Sequence, residues 1–126
     1  MGWAYQFYVS ERKDEFFKSK RKAGKDDIAP ATQLFTPEYI VRFLVQNSLG
    51  RLWVLNNPTS PLADQMEYFV KPDPDSCEDF RQISSPEEIT LIDPACGSGH
   101  FLCHAFDLLA AMYEERGYRR RDIPQL

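Results

Sequence analysis

The sequence has little cysteine and no long apolar run, and each shortage excludes something. Three cysteines (Cys77, Cys96, Cys103) are too few and too irregularly spaced for a disulfide framework, which fits a reducing compartment. The longest uninterrupted apolar stretch, Leu108 to Tyr113, is six residues, whereas a membrane span needs about 20; no membrane association is expected. The start, MGWAYQFYVSERKDE, lacks the basic, apolar and small-residue order of a secretory signal. The expectation is a cytoplasmic chain. Low-complexity tracts and internal repeats are also missing.

What is there is the composition of a globular protein. The 126 residues are 43% hydrophobic and 27% charged, with a mean hydropathy of −0.47. Charge is uneven. Fifteen Lys and Arg face 19 Asp and Glu, a net −4, which argues against a surface wholly given to nucleic acid. The basic residues gather in KSKRKAGK, from Lys18 to Lys25. A short run of this kind is usually a solvated face.

Four sections are expected. Residues 1–35 form a helical segment followed by a loop: Trp3 and Phe7, like Ala4 and Tyr8, stand four apart, as on one buried helix face, and Gly24, Asp26-Asp27 and Pro30 then break the pattern. Residues 36–57 open with Thr36-Pro37-Glu38, a favourable cap, first position and first-turn acid. A helical apolar stripe from Ile40 to Leu49 follows, ending near Gly50, and a short run continues to Leu55. Residues 58–86, with prolines at 58, 61, 72, 74 and 86, read as an irregular surface excursion.

Residues 87–126 carry the strongest signal. Ile89-Thr90-Leu91-Ile92 has the β-branched apolar character of a buried parallel strand. Asp93-Pro94-Ala95-Cys96-Gly97-Ser98-Gly99-His100 follows, and then a helix from Phe101 closed by Gly117. Strand, glycine loop and helix together predict an α/β fold. Such a loop lies at the carboxyl edge of a sheet, where α/β proteins bind ligands. Gly97 and Gly99 let a ligand approach the backbone, the helix N-terminus favours an anionic group, and Asp93 accepts from an ammonium or hydroxyl. A zwitterionic amino-acid tail on a nucleoside suits that combination.

Other loops of this general kind fit poorly. No lysine follows Gly99, as a P-loop requires. Leu102 stands where the dinucleotide fingerprint needs glycine, and Cys96 and His100 stand where a nucleophile elbow does. Cys96, His100, Cys103 and His104 are poorly disposed as zinc ligands, since the first is in the loop and the last pair are neighbours in sequence. No metal is expected.

DPACGSGHF, Asp93 to Phe101, resembles motif I of DNA N6-adenine methyltransferases, and Gln33-Leu34-Phe35-Thr36-Pro37-Glu38 resembles their motif X. The order, X before I, matches. The wider text, with GWAYQFY, KSKRKAG, APATQLFTPEYIVRFLVQNSLGRLW and LIDPACGSGHFL, is similar to the large adenine-specific methyltransferases of the BREX phage-defence and type II restriction-modification kind.

The resemblance implies a partial Rossmann-like fold that binds S-adenosylmethionine. Asp93, Pro94, Ala95, Cys96, Gly97, Ser98 and Gly99 would hold its methionine end, and Gln33, Phe35, Thr36 and Pro37 would close the pocket. DNA is the implied partner, reached through parts of the enzyme not found here. The catalytic tetrapeptide (Asn/Asp)-Pro-Pro-Tyr is absent, because Asn57-Pro58 is followed by Thr59 and lies before motif I. No catalytic residue is therefore assigned, and the segment by itself is expected to be inactive. Two alternatives stay open: a remnant or split-enzyme subunit completed by a partner polypeptide, and a methyltransferase acting on protein glutamine, since the loop does not settle the substrate.

Overall fold

The computed structural model describes residues 2–19, 22, 24, 36–73 and 79–123. The chain divides into two compact units, one of Met1–Thr36 with Gly97–Gly99, the other of Pro37–Cys96 with His100–Leu126.

In the first unit, α1 spans Gly2–Ser19. Its last turn is closed by the Ser19 hydroxyl donating to the Phe16 carbonyl at 2.7 Å, and the Phe16 and Phe17 rings meet edge to face. Val9 is buried, but Phe7, expected on a buried face, is 67% exposed. Phe7 therefore departs from the expected buried face, and the burial of Trp3, Ala4 and Tyr8 lies outside what is described.

The second unit is built on a long interrupted helix. α2 (Glu38–Val45) runs into a π-turn (Gln46–Gly50) and then α3 (Arg51–Asn56). Val41, Val45, Leu49 and Trp53, four apart in sequence, are all buried in one cluster. In an uninterrupted α-helix of 3.6 residues per turn such a stripe drifts by about 40° at each step. The wider π-turn rewinds that drift, so all four stay on the core side. Gly50 is therefore not the helix end the sequence suggested. It has ordinary helical dihedrals (φ −62°, ψ −41°) and makes room for a neighbour: a Cβ there would meet the Met66 sulfur at 2.5 Å. The helix start also differs. Pro37, with ψ 144°, is the capping residue, and no side chain caps the helix; Pro37 O instead accepts from Ile40 N and Val41 N. Thr36 lies one residue too early to serve.

Facing this helix is α5 (His100–Glu115), which contributes Ala105 and Met112 to the core. It ends as its glycine predicts. Gly117 has φ 90°, Tyr118 N bonds Tyr113 O, and Gly117 N bonds Glu114 O. The Tyr113 and Tyr118 rings pack edge to face, the apolar contact that accompanies a Schellman cap.

Between α3 and α5 the chain makes a short α4 (Leu62–Gln65) and a 3-10 turn (Pro86–Glu88). Leu62, Met66 and Ile83 are buried. Side-chain amides on the long helix satisfy the backbone of this stretch much as a neighbouring strand would. Gln46 Oε1 accepts from Tyr68 N at 2.7 Å. Asn47 donates to Tyr68 O and accepts from Val70 N. Asn56 donates to Arg81 O and accepts from Ile83 N. At the far end, the Glu115 carboxylate accepts from Trp53 Nε1 at 3.0 Å and from Ser60 Oγ at 2.8 Å, and Arg116 lies over the Trp53 ring.

The expected α/β character is corrected in one respect: no strand forms among the described residues. Ile89 is extended (φ −84°, ψ 122°), but Leu91 is 42% and Ile92 87% exposed. A strand exists only through a partner's N–H and C=O groups. Extended β-branched residues without a neighbouring strand remain loop.

Candidate functional site

The Asp93–Gly99 loop leads directly into α5. Asp93 Oδ1 accepts from Ala95 N at 3.0 Å, an Asx turn that reverses the chain just after the extended segment. Asp93 Oδ2 is buried and has no hydrogen-bond partner among the described residues. One carboxylate oxygen thus shapes the loop while the other keeps its acceptor capacity, which a carboxylate seldom leaves unused.

Gly97 (φ 54°) and Gly99 (φ 80°) both occupy the left-handed region, which side-chain-bearing residues enter at a cost. Pro94, Ala95, Cys96 and Gly97 are exposed, and Ser98 and Gly99 half-buried. The first N–H groups of α5 have no carbonyl within their own helix to bond, so this end favours a negative group. A buried carboxylate oxygen for a cation and a helix N-terminus for an anion suit a zwitterion, and the loop residues fit the amino-acid end of S-adenosylmethionine on those grounds.

Of the expected motif X residues, Thr36 is half-buried and falls in the first unit with Gly97–Gly99. Pro37 and Asp93–Cys96 belong to the second unit. Gln33 and Phe35 lie outside the described residues. Cys96 and Cys103 are exposed and carry no disulfide. Among the described residues no three His, Cys, Asp or Glu side chains gather as metal ligands, and no helix is long and apolar enough to cross a membrane.

The structure gives a polar partner to Glu38, the last residue of the motif X segment, and adds Arg42 and Gln46, which the motifs did not single out. Glu38, at the start of α2, comes within 4.0 Å of His104 on α5, Arg42 pairs with Glu67 at 3.2 Å, and Gln46 is a buried polar residue. No local pattern announces these pairings, because each joins residues distant in sequence: Glu38 meets α5, while Arg42 and Gln46 meet Glu67 and Tyr68 in the stretch after α4.

No family model matches the chain. Two curated relatives do. Over 133 aligned positions, covering 100% of the chain, it is 52% identical to the adenine-specific methyltransferase BrxX of Escherichia coli O9:H4 (strain HS). Over 137 positions, covering 99% of the chain, it is 44% identical to the adenine-specific methyltransferase PglX of Lacticaseibacillus casei (strain Zhang). The chain is homologous, end to end, to a segment of the adenine-specific methyltransferases. It spans 11% of the length of each of these relatives. The adenine-specific methyltransferase resemblance seen in the two motifs thus extends across the intervening residues and α1 as well.

Proposed function

We propose that this chain is the S-adenosylmethionine-binding segment of a DNA adenine N6-methyltransferase acting in phage defence or restriction-modification. The observation that carries the reading is the Asp93–Gly99 turn, with its buried, unpartnered carboxylate oxygen and two left-handed glycines, in a chain homologous to adenine-specific methyltransferases. Asp93 Oδ2 would accept from the methionine ammonium. The backbone of Ala95 to Gly99 and the start of α5 would meet the carboxylate. By the motif X resemblance, Gln33, Phe35, Thr36 and Pro37 are further expected contacts of the cofactor. When bound, S-adenosylmethionine supplies an electrophilic methyl group already activated by its sulfonium, so the protein's own contribution is orientation and exclusion of water.

Base recognition is assigned elsewhere. The (Asn/Asp)-Pro-Pro-Tyr tetrapeptide that would hold an extruded adenine is absent from these 126 residues, so the chain alone does not methylate DNA. The names of both relatives favour adenine over protein glutamine as the acceptor.

A second element of the reading concerns partners. Ile89–Ile92 would be covered by a strand from another part of the methyltransferase, or from a partner chain. The support is the 87% exposure of Ile92 and 42% of Leu91, which a paired strand would bury.

The test is ultraviolet cross-linking of methyl-labelled S-adenosylmethionine to the full chain. Labelling competed by S-adenosylhomocysteine is expected, and its absence would refute the cofactor assignment. Incubation with an adenine-rich duplex should transfer no label; robust transfer would overturn the claim of inactivity.

A further inference from the structure

We draw no further inference here: the strongest candidate, the largely apolar groove of about 1000 Å³ walled by the end of α3, Pro58, Pro61, Phe69 and Phe80, carries nothing because nothing in the structure shows what covers it.

Discussion

The Glu115 carboxylate is the point at which three distant parts of the second unit meet, and removing it should be costly. It accepts from Trp53 on α3 and from Ser60 just before α4. Trp53 is 1% and Ser60 6% exposed, so neither donor can turn readily to water. A hydrogen bond to a charged group contributes about 1.5–3 kcal/mol, and stranding a buried donor costs about 1–3 kcal/mol. Glu115 itself is exposed, so water competes for part of this. Glu115→Leu should therefore destabilise by roughly 2–3 kcal/mol, against a total stability of roughly 5–15 kcal/mol for a small domain.

Glu115→Gln, which keeps an acceptor, should cost only about 1 kcal/mol. The cycle with Trp53→Phe isolates the indole bond: in that background Glu115→Leu should cost about 1 kcal/mol less than in the wild type. Urea unfolding followed by far-ultraviolet circular dichroism measures all of these. Glu115→Leu within about 0.5 kcal/mol of wild type, or an equal cost in both backgrounds, would refute the reasoning.

Two further outcomes follow from the same unit. The Glu87 carboxyl is held below its ordinary value by a hydrogen bond from Ser85, with the backbone and the Tyr118 hydroxyl adding to it. Its contribution is present above the ordinary carboxylate range and lost as pH falls through the lowered value; Tyr118→Phe should shrink that acid-side loss in urea midpoints measured against pH. The Tyr118 phenol is raised by the same bond, so its contribution holds below the ordinary tyrosine range and disappears as pH rises through the raised value. Asn56→Leu removes the groups that hold Arg81 O and Ile83 N, and should speed hydrogen exchange at the Ile83 amide by about tenfold or more, with little change at amides in the middle of α5.

Helix α5 and its ends were readable because their signals are local. Gly97, Gly99 and Gly117 stand where left-handed backbone is needed, and all three adopt it. The apolar stripe of α2 was equally plain, but its continuation past Gly50 was not. A glycine after an apolar helix reads as a stop, and only the nearness of Met66 shows why a small residue is needed inside the helix. Ile89–Ile92 fails for the opposite reason: its residues suit a strand, while pairing depends on partners distant in sequence. The clasps made by Gln46, Asn47 and Asn56 were unreadable because an amide side chain carries no sign of which backbone it will bind. Within the candidate site, the two Asp93 oxygens are chemically identical in the sequence, and only the fold, by turning Ala95 N toward Oδ1 and burying Oδ2, gives them different roles.

That division of roles provides the most direct test. Asp93→Asn keeps Oδ1 to accept from Ala95 N and replaces the buried Oδ2 with an amide that cannot accept from an ammonium. With S-adenosylmethionine titrated into the nitrogen-15-labelled chain, the backbone amides of Gly97, Ser98 and Gly99 should shift in the wild type. In Asp93→Asn those shifts should be lost while the spectrum of the ligand-free turn is retained. Amides at Gly97 to Gly99 that ignore the cofactor, or that respond equally in both proteins, would contradict the account.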